Sequence, residues 1–169
     1  MAADVDQTAP IHTALAAKGL LPGDHLVGAG FVDAELLVGS QFEHGVRLVG
    51  PVRPDVSWQA QANQGFDISH FAIDWEAKRV TCPEGKTSVV WKPGQDRWGN
   101  EVIHTEFARR DCLTCRSRPR CTRATTEGRE IALRPRALHE ALQAARIHQE
   151  APEWKAEYAV RAGVEGTLS

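Results

Sequence analysis

All four cysteines of this 169-residue chain lie between positions 82 and 121, inside a stretch from about Pro54 to Arg134 that has no helical period. That confinement limits the fold more than any composition total does. The stretch is rich in Trp, Thr, Val, Gly and Pro, residues of strands and turns. Phe71-Ala-Ile-Asp-Trp75 and Arg79-Val-Thr81 predict a hairpin around Glu76-Ala77-Lys78. Ser88 to Trp91 and Val102 to Phe107 predict a second, around Pro93 to Asn100. A small β layer of this kind has a thin core, and thin cores need a staple.

The cysteines offer one. Cys82 opens Cys-Pro-Glu-Gly, and Cys112-x2-Cys115-x5-Cys121 follows. A Cys-x-x-Cys on a tight turn aims two thiolates at one point, and tetrahedral Zn²⁺ takes four ligands at about 2.3 Å. Cys121 is near in sequence, and pairing of the hairpins can bring in Cys82. The chain opens without the basic and apolar regions of a signal peptide. It has no apolar run of the roughly 18 to 20 residues that span a bilayer. A cytoplasmic protein with no membrane partner is expected, and in that reducing compartment cysteines are free thiols or metal ligands rather than disulfides. Two readings stand: a structural zinc at Cys82, Cys112, Cys115 and Cys121, or partly buried free thiols.

The flanks have a different rhythm. Thr8 is a candidate helix cap with Pro10 in the first turn, and Ile11, Ala14 and Leu15 form an apolar stripe ended by Gly19. His25-Leu26-Val27 reads as a short buried strand. Asp33 caps a second helix carrying Leu36, Leu37 and Phe42, closed by His44-Gly45, and Val46 to Val52 reads as the next strand. Helix, strand, helix, strand is the order of an α/β layer with parallel pairing. After Pro135 helix returns with Leu138, Ala141, Leu142 and Ala145 on one face, and Pro152 restarts it. Three segments follow: an α/β part at 1–53, a β-rich cysteine insertion at 54–134 and a helical segment at 135–169. Gly28-Ala29-Gly30 after the first strand is not a dinucleotide loop, because Asp33 stands where that fingerprint needs glycine or alanine.

Net charge is −2, which argues against wholesale nucleic-acid binding. Arginines are nevertheless dense from Arg109 to Arg136. Arg116, Arg118, Arg120 and Arg123 either contact DNA backbone locally or line a solvated basic loop. Near the carboxyl end, Trp154, Tyr158, Arg161 and Glu165 are spaced four, three and four apart and share one helix face. Spacing alone describes an amphipathic surface helix with an Arg–Glu pair worth a few tenths of a kcal/mol.

Tyr158-x2-Arg161-x3-Glu165, however, resembles the signature around the final glutamate of DDE-type insertion-sequence transposases. The flanking Arg161-Ala-Gly-Val-Glu165-Gly-Thr is similar to a subgroup with a cysteine-bearing insertion before that glutamate. His25-Leu-Val-Gly-Ala-Gly-Phe31, Val49-Gly-Pro-Val-Arg-Pro-Asp55, Phe71-Ala-Ile-Asp-Trp75 and Cys82-Pro-Glu-Gly-Lys-Thr87 resemble the same subgroup, in the family's order. The resemblance implies a partial RNase H-like α/β domain with a small β-rich insertion and carboxyl-terminal helices. It also implies DNA as partner, both transposon ends and target, and three carboxylates holding two Mg²⁺. Glu165 is then the third carboxylate, Arg161 neutralises phosphate or orients Glu165, and Tyr158 packs or contacts DNA.

The match breaks at Gly28, which stands where the family has its second aspartate. Asp24 and Asp33 are nearby but look committed to a turn and a cap. The family's first aspartate belongs to a strand upstream of this chain's opening residues. The expectation is therefore a truncated transposase fragment, inactive alone. The alternative is a zinc-stapled DNA- or protein-binding remnant that modulates an intact transposase.

Overall fold

Helix α1 (Thr8–Ala16) is entered at Gln7, so Thr8 lies inside it. The Thr8 hydroxyl does not cap; it donates to the Phe31 carbonyl at 2.8 Å and is buried. The computed structural model describes residues 4–62 and 64–165. It is mixed α/β, the class expected, and its contacts divide it into two units, Met1–Pro54 with Ala137–Ser169, and Asp55–Arg136.

In the first unit, α1 is followed by β1 (Asp24–Leu26), α2 (Ala34–His44) and β2 (Arg47–Val49). Asp33 caps α2 by accepting the Leu36 amide at 2.8 Å, and Gly45 ends it at φ +66°, a backbone state that favours glycine. The two strands pair in parallel, with Asp24 opposite Arg47 and Leu26 opposite Val49. β2 stops at Val49, short of the predicted Val52. A Cβ at Gly50 would meet Val27 at 2.8 Å, so the chain runs hard against the neighbouring segment there. Val27, Val32, Leu48 and Val52 form the core.

The second unit opens with α3 (Trp58–Gln61), capped by Ser57. β3 (Ala72–Asp74) and β4 (Arg79–Thr81) form the first predicted hairpin, antiparallel. β5 (Ser88–Gln95) and β6 (Glu101–Phe107) form the second. β5 runs through Pro93 rather than stopping before it. It is an edge strand of the β5-β6-β7 sheet, the place in a sheet where proline is tolerated. The short helices α4 (Arg109–Leu113) and α5 (Arg118–Cys121) lead to β7 (Glu130–Leu133), which pairs with β6. Phe66, Phe71, Val80, Phe107, Ile131 and Leu133 make this unit's core, with Cys82, Cys112 and Cys121 packed against it. Each fully buried aliphatic or aromatic side chain contributes about 1.5–3 kcal/mol.

Helices α6 (Arg136–His148) and α7 (Pro152–Glu165) return to the first unit, α7 starting on Pro152 as expected. Leu142 and Ala145 of α6 pack on that unit's core, and Gln149 accepts the Val52 amide at 3.0 Å. Among the described residues no helix is long and apolar enough to cross a membrane.

Candidate functional site

The α7 stripe docks on the end of β1. Trp154 and Tyr158 stack with ring centroids 4.9 Å apart and planes within 12°. The Tyr158 hydroxyl donates to the Val27 carbonyl at 3.2 Å, and an Arg161 guanidinium N–H reaches that hydroxyl at 3.4 Å. Lower on the helix, Glu157 pairs with Arg47, which also holds Asp24 at 2.7 Å. Three residues singled out from the sequence therefore meet at one corner: Tyr158, Arg161 and Gly28. A Cβ built on Gly28 would lie 3.3 Å from Nη2 of Arg161 and 3.7 Å from the Phe31 ring.

Neither of the two aspartates nearby in sequence is placed to stand in for a carboxylate at position 28. Asp24 is the first residue of β1, and its hydrogen bond with Arg47 holds its carboxyl below the usual carboxylate range. Asp33 is occupied with the Leu36 amide. Glu165 is the last residue of α7, and its side chain lies outside the described residues. Among those residues, no group of three or more His, Cys, Asp or Glu stands ready to hold a metal ion. The described side chains at this corner do not fit a Mg²⁺ pair: position 28 supplies no oxygen and a guanidinium stands beside it.

The four cysteines do come together. Cys82, Cys112, Cys115 and Cys121 line one cavity of about 30 Å³, with Phe66 and Arg129 also in its wall. A volume of that size holds one water or ion and no organic ligand. Two backbone amides aim at sulfur, Lys86 N–H at Cys82 and Arg129 N–H at Cys112, both at 3.4 Å. The first depends on the Cys82 turn, where Gly85 at φ +75° donates to the Cys82 carbonyl at 2.8 Å. Burial pushes the Cys121 thiol up, Arg129 opposes that, and the other three thiols add to it. The donor set suits zinc, but the four sulfurs do not stand at metal-holding spacing, so binding has to draw them closer and displace their protons.

The arginines of the knuckle divide. Arg118 donates to the carbonyls of Ala124 and Glu127, the latter at 2.9 Å. Arg120 donates to the Gln64 carbonyl at 2.6 Å and lies over the Phe66 ring, and Arg123 lies over Trp58. Arg116 is exposed and stands at the turn between α4 and α5. Arg118 and Arg120 thus hold backbone inside their own unit, whatever else they touch.

Sequence reasoning missed a histidine cluster. His12, fully buried on α1, meets His25 of β1 with Nε2 and Nδ1 2.9 Å apart, and its ring lies 5.6 Å from that of His44 on α2. Nδ1 of His12 is buried without a partner. The signal was three histidines on successive elements of an α/β layer, but their convergence needs the register of β1.

A family model described as the transposase DDE domain matches residues 81–169, more than half of the chain. The match takes in the four cysteines and the α7 stripe and leaves Gly28 outside it. No curated protein and no solved structure matches the chain.

Proposed function

The chain belongs to the transposase DDE domain family, and on that premise we propose that it engages transposon-end and target DNA but does not complete strand cleavage alone. Phosphodiester cleavage develops charge on both the attacking and the leaving oxygen. Two divalent cations stabilise both only where enough carboxylates gather to hold them. The observation that carries the proposal is the corner at position 28. Where the resemblance calls for an aspartate there is glycine, with the Arg161 guanidinium beside it. That position gives no metal ligand, and the guanidinium beside it adds none. Glu165 remains the family's third carboxylate by resemblance, without the partner that position 28 would supply. Tyr158 serves to anchor α7, and Arg161 presents positive charge where DNA phosphate would lie.

The four-cysteine cavity belongs to this reading as a structural zinc site in a reducing, cytosolic setting. Its support is the convergence of four thiols and two amide N–H groups on one small cavity. Elemental analysis of protein purified under reducing conditions is expected to give one zinc per chain, and no metal would end that proposal.

DNA binding is tested by gel shift on element-end DNA against unrelated DNA. Arg116→Ala and Arg123→Ala are the informative variants, because Arg118 and Arg120 also hold backbone carbonyls. Removing one arginine–phosphate pairing should reduce the salt slope of binding by about 1. Unchanged affinity and slope in the double variant would remove the knuckle from the interface. A second reading, a remnant that modulates an intact transposase, draws support from residues 55–136 having their own core and cysteine site. It predicts that adding this chain lowers the strand transfer of an intact transposase on the same ends.

A further inference from the structure

The wall of the cysteine cavity contains one cation that packing alone does not explain. Arg129 lines the cavity with the four cysteines, and its Nε is buried without a hydrogen-bond partner. Burying a guanidinium with an unmet donor is costly unless an anion faces it. The backbone around it is arranged to bring it there. A Cβ on Gly128 would lie 2.0 Å from the Phe107 carbonyl oxygen, so only glycine lets the chain pass this close to β6. Directly after that passage, the Arg129 carbonyl accepts the Phe107 amide at 2.9 Å and the Arg129 amide reaches Cys112 Sγ. The guanidinium feels Cys121 first and Asp55 second among nearby acidic groups.

Four thiolates around a divalent cation leave two negative charges in excess. In a small cavity under an aromatic core that excess needs compensation, and groups beyond the ligands set metal affinity as much as the ligands do. We propose that Arg129 is the resident counter-cation of the four-cysteine site, offsetting half of the excess charge when a thiolate-seeking divalent metal binds. This rests on the metal-site reading above and adds a residue that is not itself a ligand.

The test uses the full chain, reduced, titrated with Co²⁺ and followed by sulfur-to-cobalt charge-transfer absorption, with Zn²⁺ affinity from competition against a chromophoric chelator. Wild type giving the tetrathiolate band speaks for the metal site by itself. Arg129→Met should then weaken Zn²⁺ binding about 10- to 100-fold, and Arg129→Lys, which keeps the charge, should recover most of it. Cys115→His lowers the negative charge of the complex by one, so the loss on Arg129→Met should shrink in that background. A purely structural role would give the same loss in both. A wild-type band with undiminished affinity in Arg129→Met overturns the role of Arg129 and leaves the metal site standing. No band in wild type overturns both. Should Arg129→Met fail to fold, Arg129→Lys decides: a loss of about tenfold or more there overturns the proposal.

Discussion

Nη2 of Arg161 lies 3.3 Å from the point where a Cβ on Gly28 would stand. The two residues are far apart in sequence and on different elements, joined through Tyr158, whose hydroxyl lies between Arg161 and the Val27 carbonyl. A carboxylate at position 28 would project toward this guanidinium. At the corner where the resemblance places a metal ligand, this chain has a glycine with a guanidinium beside it.

Gly28→Asp is expected to fold. Gly28 has φ −73° and ψ 164°, which any L-residue adopts, and the crowding atom is the end of a flexible side chain. The new carboxylate should pair with Arg161 and change stability by about 0 to 1 kcal/mol in the favourable direction. Chemical denaturation measures this, and a destabilisation of about 2 kcal/mol or more would show that the space is not there.

Tyr158→Phe removes one donor and one acceptor from the place where α7 docks. The Val27 carbonyl then has no hydroxyl to accept from, and Arg161 has no hydroxyl oxygen to reach. A destabilisation of about 0.5–1.5 kcal/mol is expected in urea titration. Unchanged stability would mean the hydroxyl does not anchor α7 and would free Tyr158 for a role at DNA alone.

Gly128→Ala should be costly. Its Cβ would sit 2.0 Å from a backbone oxygen of β6, which cannot rotate away. About 1–3 kcal/mol of destabilisation is expected, read as a lowered melting temperature. A neutral result would contradict the tight passage that brings Arg129 to Cys112.

How much of this was legible in the sequence follows from distance along the chain. The Asp33 cap and the Pro152 helix start were readable because their partners lie within a turn. Thr8 has the look of a cap, but its partner is the Phe31 carbonyl 23 residues on. β7 carries a clean alternation, Glu130 and Ala132 exposed with Ile131 and Leu133 buried, yet it follows an arginine-rich run that reads as loop. β5 continuing through Pro93 required knowing that it is an edge. The reading of Gly28 as the place of a missing carboxylate rests on resemblance. Arg161 as its neighbour, and Arg129 beside the thiols, depend on tertiary packing that spacing does not encode.

The histidine cluster is expected to make the fold acid-sensitive. Burial, then His25 and His44, holds the His12 imidazole below its ordinary value, and burial does the same for His25 and His139. Unfolded, such groups titrate near about 6.5; folded, they stay neutral to lower pH. The stability from keeping them neutral is complete above about 6.5 and is lost as pH falls through the folded-state values. The melting temperature should drop from about pH 7 to about pH 5, and His12→Leu should flatten that slope. An equally steep slope in the variant would acquit His12.

The central claim is that position 28 leaves the catalytic corner incomplete. The most direct measurement incubates the purified chain with element-end DNA and Mg²⁺ and follows nicking and strand joining, with Glu165→Gln alongside. The account predicts no products above the DNA-only control in either sample. Products formed by the wild-type chain and lost in Glu165→Gln would contradict it.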